Sequence, residues 1–160
     1  MAPRPPTISA GIALLRGQEG TTQVFLVHPG GPFWKNKDTN GWSIPKGEVD
    51  PEDDDHAAAA RREFTEETGH LAPTGPMIPL PELKLSSSKR LVAFAVNGDL
   101  DPDTIVSNHF EMEWPPRSGQ TQSFPEIDKG AWFTLDQAVD KLHKGQVPLI
   151  EHLREIREPS

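Results

Sequence analysis

The chain has 160 residues and a formal net charge of −8 at pH 7, from 24 Asp and Glu against 16 Lys and Arg. This length suits one domain with its own hydrophobic core, and the acidic balance disfavours binding of long nucleic acid or of an anionic membrane through a diffuse basic surface. The chain has no cysteine for disulfides or thiolate metal sites, and no apolar run approaches the roughly 20 residues of a membrane helix.

The N-terminal third predicts a β-hairpin followed by a loop. Residues 7–15 and 23–28 are apolar and β-branched, and the polar, glycine-containing residues 16–22 between them predict a turn. We end the second strand at His28, because Pro29 does not suit a strand interior and the following glycines and prolines are typical of a loop. Residues 42–44 predict a further short strand.

Residues 53–69 predict an α-helix. Three aspartates at 53–55 offer N-cap oxygens and negative charge at the positive end of the helix dipole, and four alanines follow at 57–60. Gly69 is a natural residue to follow the last helical turn. We therefore expect a helix from Asp54 or Asp55 to Thr68.

The second half of this helix carries three carboxylates on one face. Glu63, Glu66 and Glu67 stand at i, i+3 and i+4, and like charges at this spacing repel by a few tenths of a kcal/mol per pair. A hard divalent cation bound by the three carboxylates would turn this repulsion into a net attraction, since Mg²⁺ prefers oxygen ligands and is commonly held by a few carboxylates. The pattern predicts a metal site; the alternative, a solvated acidic face, predicts no dependence on divalent ions.

The rest of the chain predicts more strands and two helices, with no internal repeat. Four segments have strand composition or alternation: 77–85, 90–96, 110–114 and 131–133. Residues 135–142 have helical apolar spacing with Thr134 as N-cap, and residues 149–156 predict a last short helix. We expect a single domain over residues 1–160, with residues 1–6 and 157–160 as flexible termini. Without an apolar signal core, a cytoplasmic location is expected.

The helix and the residues before it carry a family resemblance. The run Arg62-Glu63-Phe64-Thr65-Glu66-Glu67-Thr68-Gly69, preceded by Gly47, resembles the Nudix box, G-x5-E-x7-R-E-U-x-E-E-x-G-U, where U is aliphatic or aromatic. It departs from the pattern by one extra residue before Arg62, by Asp53 or Asp54 in place of the first Glu, and by His70 at an apolar position. The resemblance implies a Nudix-type α/β/α sandwich, with a mixed β-sheet between helices.

The resemblance also implies roles for the residues of the box. Glu63 and Glu67 would ligate Mg²⁺, or Mn²⁺ as a substitute, and Glu66 would be a further ligand or the base that activates water. The main-chain carbonyl of Gly47 would join the metal shell. Arg62 would orient the glutamates through charge-assisted hydrogen bonds.

A second acid often joins the site in this family from a distant loop. Glu126 is favoured, because it lies six residues before Trp132 in a pattern similar to the family's second acidic loop. Its plain alternative is a solvated loop charge. The other candidates are Glu111, Glu113 and Asp128.

Four residues are candidates for substrate binding. Aromatic rings can stack on a base and cations can meet phosphates, which suits Trp34 and Lys35 in the loop after His28 and Arg117 further along the chain. Lys46, beside the turn before the box, is a candidate phosphate ligand. Tryptophans more often pack in cores, and lysines beside turns are commonly exposed.

The expected function is that of a divalent-metal-dependent pyrophosphohydrolase. It would cleave a phosphoanhydride bond in a nucleoside diphosphate linked to another moiety, by attack of metal-activated water. The candidate substrates are a dinucleoside polyphosphate, a nucleotide sugar of the ADP-ribose type or a nucleoside triphosphate. The alternative is a non-catalytic Nudix-fold nucleotide-binding or regulatory module, for which loss of box glutamates would be typical; all three are present. Homodimers are common among relatives of this family, which makes a homodimer a candidate assembly, and neither long nucleic acid nor membrane is an expected partner.

Overall fold

The computed structural model describes residues 5–18 and 21–157. Within them, seven strands form one mixed sheet, and two more form a separate antiparallel hairpin. Of the termini predicted to be flexible, residues 1–4 and 158–160 lie outside the described residues. None of the described helices combines the length and the apolar character that a membrane span requires.

The sheet is built around the first strand. Its strands are β1 (Thr7–Gln18), β2 (Thr21–Pro29), β3 (Lys46–Glu48), β4 (Ile78–Pro79), β5 (Leu83–Ser86), β6 (Lys89–Asn97) and β9 (Ile127–Thr134). The order is β4-β6-β1-β2-β9, with β3 paired to β1 and β5 paired to β6. The pair of β1 and β6 is parallel and the other pairs are antiparallel. The separate hairpin consists of β7 (His109–Glu113) and β8 (Thr121–Pro125).

Helices cover both faces of the sheet. They are α1 (His56–Thr68), α2 (Leu135–Lys141) and α3 (Pro148–Arg157), with short 3-10 turns at Pro102–Thr104 and Lys144–Gln146. Alternate residues of β1 enter two cores: Ile12 packs in the core that contains Phe64 of α1, whereas Leu15 packs in the core that contains Leu153 of α3. This arrangement confirms the predicted α/β/α sandwich.

The predicted N-terminal hairpin is confirmed, with longer strands than expected. Residues 16–18 and 21–22, predicted as turn, belong to β1 and β2, and residues 19–20 lie outside the described part of the chain. The end of the second strand at His28 was wrong by one residue. A register shift follows His28, and Pro29, which has no N–H to donate, closes the strand opposite Ile127.

The short strand predicted at residues 42–44 was wrong. Trp42 and Ser43 form only isolated bridges, while the strand itself, β3, begins at Lys46 and pairs with β1. The N–H of Ile44 donates to the side chain of Gln146, 3.1 Å from its Oε1, and Pro45 has no N–H. A regular ladder therefore starts only after Pro45.

Two further strand predictions need correction. Residues 77–85 form two short strands rather than one, because Pro79 and Pro81 interrupt the segment. The strand β8 was not predicted, since its sequence Thr-Gln-Ser-Phe-Pro is largely polar. The strands predicted at 90–96 and 110–114 are confirmed with ends that differ by one residue. The strand predicted at 131–133 is the C-terminal part of the longer β9, which begins at Ile127.

The predicted end of α1 at Thr68 is confirmed, whereas its start, predicted at Asp54 or Asp55, lies at His56 with Asp55 as the N-cap. The Asp55 side chain accepts the N–H of Ala58 at 2.8 Å, and Gly69 ends α1 in the left-handed conformation, with φ 77°. Thr134 caps α2 in a capping box with Gln137. The helix α1 therefore presents its glutamates at the register that the sequence predicts.

Candidate functional site

The three glutamates of α1 lie beside the start of β3. The backbone N–H of Lys46 donates to Glu67 Oε1 at 3.1 Å, and Glu63 is buried against Gly47. Glu66 is more open, with 38% of its side chain exposed. Helical spacing and the turn before β3 therefore bring the acids and the turn backbone together.

Arg62 is the hub of the hydrogen bonds among these acids. Its Nη1 donates to Glu63 Oε1 at 2.8 Å and to Glu66 Oε1 at 3.2 Å, while its Nε and Nη2 donate to the two carboxylate oxygens of Asp53. Hydrogen bonds to the Asp53 carboxylate are the main cause of the raised pKa of Arg62, and those to Glu63 and Glu66 add to it. The guanidinium in turn lowers the pKa of Asp53 to about 2. Asp53, rather than Asp54, is thus the acid that pairs with Arg62.

Gly47 leaves the space that the Glu63 carboxylate fills. A Cβ added to Gly47 would lie 1.9 Å from Glu63 Oε2, well inside van der Waals contact. A side chain at position 47 is therefore incompatible with the observed position of Glu63. The glycine of the box has a steric role here as well as the backbone role predicted for its carbonyl.

The acids repel one another in partly buried surroundings. Burial raises the pKa of Glu67 to about 8, with the Lys46 N–H and charge opposing the shift and the charges of Glu63 and Glu126 adding to it. Burial also raises the pKa of Glu63, to which the charges of Glu66 and Glu126 contribute. Glu126 thus acts electrostatically on two glutamates of α1, although it lies far from them in sequence.

The other candidates for the second acid have different surroundings. Glu113 Oε1 accepts the backbone N–H of Arg117 at 2.7 Å, and Asp128 Oδ1 lies 3.0 Å from Nδ1 of the buried His28. Glu111 is exposed on the hairpin. The structure brings Glu126, and none of these three, into the electrostatic surroundings of both Glu63 and Glu67.

The donor set fits a hard divalent cation. In the part of the chain that the structure describes, no three acidic or imidazole side chains already stand in a metal-ligating arrangement. Arg62 and the Lys46 N–H each donate to oxygens of the glutamates. The candidate donors are nevertheless all oxygens, and a cation would offset the burial and the mutual repulsion that raise the pKa values of Glu63 and Glu67. Arg62 donates to Oε1 of Glu63 and Oε1 of Glu66, so it can orient both carboxylates while their Oε2 atoms face an ion.

Cationic and imidazole side chains stand next to the acids. Burial lowers the pKa of His143, and the charges of Lys46, Lys37 and His28 lower it further. The ring centroid of Trp34 lies 5.4 Å from the ring centroid of His143. Lys37 Nζ lies 5.4 Å from the same Trp34 centroid. Lys46 acts electrostatically on both Glu67 and His143, so it links the acids to the group of Trp34, Lys37 and His143, the basic side of the site.

A cleft of about 460 Å³ opens beside these groups. Residues 29–34 form one wall, Phe110 and Met112 of β7 form the other, and Glu126 completes the lining. The volume lies within the roughly 300–1,000 Å³ that is typical of small-molecule sites. The cleft and the acidic cluster share one residue, Glu126.

The predicted substrate-binding residues fall into two groups. Trp34 lines the cleft, and Lys46 is close enough to Glu67 to lower its pKa. Lys35 and Arg117 are exposed and do not line the cleft; Arg117 is in the tight turn at the tip of the hairpin, with φ 62°. The structure therefore brings the first two, but not the second two, to the site.

A family model, a curated relative and several solved structures are similar to this chain. A model of the NUDIX domain matches residues 5–153. The chain belongs to the Nudix hydrolase family. A curated relative, the 8-oxo-(d)GTP phosphatase of Mycolicibacterium smegmatis, is 29% identical over 134 residues, which cover 79% of this chain and 31% of that protein. The chain thus spans about a third of the length of this Nudix relative.

Solved Nudix structures share the fold at low sequence identity. The NUDIX domain of Shewanella oneidensis NrtR, complexed with ADP ribose, superposes with a TM-score of 0.64 at 16% identity, over 96% of this chain and 89% of that one. A C. elegans Ap4A hydrolase in a binary complex gives a TM-score of 0.58 at 17% identity, over 94% of this chain and 96% of that one. At these identities the likeness establishes the Nudix fold.

Some residues of this Nudix site were not found by sequence reasoning. The apolar alternation Phe110, Met112, Trp114 was an available signal for one face of a strand, but nothing in the sequence placed that face opposite residues 29–34. No motif or spacing in the sequence singles out His143. Its surroundings depend on contacts between segments about 100 residues apart, such as its Nδ1–H bond to the Asn40 carbonyl.

Proposed function

We propose that the protein is a divalent-metal-dependent pyrophosphohydrolase that cleaves a phosphoanhydride bond in a nucleoside diphosphate linked to another moiety. The observation that carries this proposal is that Glu126 lies close enough to Glu63 and Glu67 to add to their raised pKa values, with Lys46 beside Glu67. Carboxylates next to a cation suit a substrate that is itself a polyanion and needs a metal for its hydrolysis. The candidate substrates are a dinucleoside polyphosphate, a nucleotide sugar and a nucleoside triphosphate.

The names of the relatives support a nucleotide substrate. One relative is named as an 8-oxo-(d)GTP phosphatase, one solved neighbour is complexed with ADP ribose, and another is an Ap4A hydrolase. Each of these compounds contains a phosphoanhydride joined to a nucleoside. The shared chemistry favours this class of substrate without selecting one member.

Mg²⁺, or Mn²⁺ in its place, is the proposed cofactor. Glu63 and Glu67 would hold the ion, with Glu66 as a further ligand or as the base that activates water, the carbonyl of Gly47 as a further donor and Glu126 as the second acid. When bound, the cation supplies neutralisation of the phosphoryl oxygens and activation of the attacking water. Both ions are hard and prefer oxygen donors, which matches this set of residues.

Side chains at the site are proposed to orient the carboxylates, to accept a proton and to bind a phosphate. Arg62 holds Glu63 and Glu66 through charge-assisted hydrogen bonds, so that their carboxylates have defined directions. Glu66, the more exposed of the pair, is the proposed proton acceptor for the attacking water. Lys46 is proposed to meet a substrate phosphate.

The substrate contacts proposed for the other three candidate residues rest on their positions relative to the cleft. Trp34 lines the cleft and is proposed to contact the nucleoside. Lys35 follows Trp34 directly, and Arg117 lies at the tip of the hairpin whose strand lines the same cleft. We propose that these two exposed cations attract phosphates from outside the cleft.

The decisive experiment measures product release from a panel of nucleoside diphosphate derivatives with Mg²⁺, with Mn²⁺ and with a chelator. We expect metal-dependent cleavage of one class, and loss of several orders of magnitude in kcat for Glu67→Gln. Glu155→Gln, an exposed change on α3, is the matched control and should retain wild-type rates. Cleavage that persists in the chelator, or in Glu67→Gln, would contradict the proposed chemistry.

The predicted assembly and location stay predictions. A homodimer is the candidate assembly, and light scattering coupled to gel filtration would measure the mass directly. A cytoplasmic location is expected from the sequence, and fractionation of cells that produce the full-length protein would test it. Neither outcome changes the chemistry proposed for the site.

A further inference from the structure

His28 is a buried histidine that the proposed chemistry does not use. It lies near the end of β2, opposite Lys129 of β9, and its exposed fraction is 1%. Its ring meets the Trp42 ring edge-on, with the two centroids 5.2 Å apart. Buried polar groups are almost always hydrogen-bonded, so the two ring nitrogens of His28 need partners within the protein.

Both ring nitrogens face atoms that can only accept a hydrogen bond. Nε2 lies 2.7 Å from the backbone carbonyl oxygen of Lys37, and Nδ1 lies 3.0 Å from Oδ1 of Asp128. A neutral imidazole has a single N–H, whereas a carbonyl and an ionised carboxylate offer only lone pairs. Two hydrogen bonds therefore require a proton on each nitrogen of His28, which is the imidazolium form. These two hydrogen bonds form the His28 bridge.

The charged groups around His28 come from β9, from the loop after β2 and from the segment after α2. Asp128 supplies the carboxylate in contact with the ring, and its side chain is 31% exposed. Burial is the main cause of the lowered pKa of His143, and the charge of His28 adds to it. An imidazolium that is buried among Lys37, Lys129 and His143 therefore depends on Asp128 for its opposite charge.

On the loop side, the His28 bridge holds the turns that carry Trp34. The N–H of Trp34 donates to the Gly31 carbonyl at 3.4 Å, and the N–H of Lys37 donates to the Trp34 carbonyl at 3.0 Å. The Lys37 carbonyl at the end of these turns lies against His28 Nε2. Residues 29–34 line the cleft. The cleft wall is therefore attached to the sheet through His28.

On the strand side, the His28 bridge ends two residues after Glu126. Asp128 is the second residue of β9, and the backbone carbonyl of Glu126 accepts the N–H of Gly30 at 2.8 Å. The loop and this end of β9 are thus joined twice, once from Gly30 to Glu126 and once through His28. The two attachments lie on either side of Trp34 in the chain, so together they fix the loop relative to the Glu126 backbone.

We propose that His28 is a positioning residue whose imidazolium fixes Glu126 relative to the cleft wall that carries Trp34. The inference rests on the proposed function, in which Glu126 is the second acid, and it adds a residue that acts through Glu126 without touching metal or substrate. Loss of the bridge would free one attachment of the loop and let Glu126 shift. A shift of about 1 Å in a catalytic group can lower the rate about a hundredfold.

NMR of the intact protein without substrate tests the two ring protons. At about pH 6, where histidine can carry a proton on both nitrogens, we expect two slowly exchanging ring N–H signals from His28. Both signals should disappear in His28→Gln and persist in His56→Gln, which changes an exposed histidine. A single ring N–H signal from His28, or none, would overturn the bridge.

Hydrogen exchange measures whether the bridge positions Glu126. The N–H of Gly30 donates to the Glu126 carbonyl, and we expect its exchange rate to rise about tenfold in His28→Gln. Asp128→Ala removes the acceptor at a partly exposed position and should give the same local increase if His28→Gln does not fold. An unchanged rate at Gly30, or an equal increase at the buried Leu153 of α3, would contradict a local positioning role.

Kinetics separate a positioning role from a structural one. His28→Gln should lower kcat about tenfold to a hundredfold, the usual range for residues that orient a ligand, and Asp128→Ala should act in the same direction. In a Glu126→Gln background the same changes should lower kcat less than about threefold, because the residue that the bridge positions has already lost its charge. Equal losses of kcat in both backgrounds would overturn the inference.

The two proposals fail in different ways. If the wild-type protein cleaves no phosphoanhydride, the proposed hydrolase is contradicted, while the ring N–H signals and the Gly30 exchange rate still decide whether His28 fixes Glu126. If metal-dependent cleavage is lost in Glu67→Gln but His28→Gln keeps the wild-type kcat, the hydrolase stands and the positioning role is overturned.

Discussion

The guanidinium of Arg62 donates to both carboxylate oxygens of Asp53, Nε to Oδ1 and Nη2 to Oδ2, each at 2.9 Å. The remaining nitrogen, Nη1, donates to Glu63 and Glu66. A bidentate pair fixes the plane of a guanidinium. Asp53 therefore determines the direction from which Arg62 meets the glutamates, and it acts on the site through Arg62 rather than by contact with substrate.

Replacement of Asp53 should weaken the activity without touching a proposed metal ligand. In Asp53→Asn the charged partner of Arg62 is lost, and we expect kcat or the affinity for Mg²⁺ to fall about tenfold to a hundredfold, as for other residues that orient ligands. Steady-state kinetics at several Mg²⁺ concentrations would separate the two effects. Asp53→Glu should recover much of the loss, because it keeps the carboxylate and matches the box pattern.

The neighbouring acid provides the control for this pair. Asp54 is exposed and precedes the N-cap, so Asp54→Asn removes the same charge from the same loop without removing the partner of Arg62. We expect its kinetics to match those of the wild type. If Asp53→Asn and Asp54→Asn behave alike, the loop charge matters and the Arg62 contact does not.

Gly47→Ala should disturb the site by direct collision. The new Cβ would lie 1.9 Å from Glu63 Oε2, so the carboxylate must move, and misplacement of a catalytic group by about 1 Å can lower the rate about a hundredfold. Activity assays and a melting curve should show a large loss of kcat with a small change in stability. Gly75→Ala is the control, since a Cβ there meets nothing within 4 Å. Wild-type activity in Gly47→Ala would show that Glu63 does not need its observed position.

The acidic half of the site could be predicted from the sequence because it is local. The spacing of Glu63, Glu66 and Glu67 within one helix fixes their common face, and the aspartate N-cap and Gly69 fix the helix ends. The same local rules left the partner of Arg62 open between Asp53 and Asp54. Only the path of the loop in three dimensions brings Asp53 to Arg62.

The basic side and the cleft could not be predicted, because they depend on contacts between distant segments. His143 follows α2, and its ring meets Asn40 and Trp34 from the loop between β2 and β3. The second cleft wall needs β8, whose polar sequence gives little strand signal and which is paired to β7 alone. Tertiary packing, rather than local propensity, determines these parts of the structure.

His143 should make stability depend on pH near neutrality. Burial, with the charges of Lys46, Lys37 and His28, lowers its pKa in the folded protein below the ordinary value of 6.5, against the hydrogen bond to Asn40, which raises it. The unfolded chain therefore binds a proton first as pH falls, so this contribution to stability is full above pH 6.5 and is lost as pH falls toward the folded pKa. The slope can reach about 1.4 kcal/mol per pH unit.

Denaturant unfolding at several pH values from about 5 to about 8, the range in which histidine changes its charge, measures this effect. Glu67, whose pKa burial raises to about 8, contributes a slope of the opposite sign over this range. We therefore expect the rise of the unfolding free energy with pH to be smaller, or its fall steeper, in His143→Gln, which cannot bind the proton. His56→Gln, an exposed change at the first residue of α1, should keep the wild-type slope. An unchanged slope in His143→Gln would mean that another group is responsible.

Glu126 is expected to matter for turnover more than any other acid of the hairpin region. Its charge raises the pKa values of both Glu63 and Glu67, whereas Glu111 is exposed on β7 and does not line the cleft. Glu126→Gln keeps the shape and removes the charge, and we expect kcat to fall about a hundredfold, the scale of one lost acid–base or charge contribution. Glu111→Gln should show wild-type kcat and KM in the same assay. Wild-type kinetics in Glu126→Gln would remove this residue from the site and leave the three glutamates of α1 to act without a second acid.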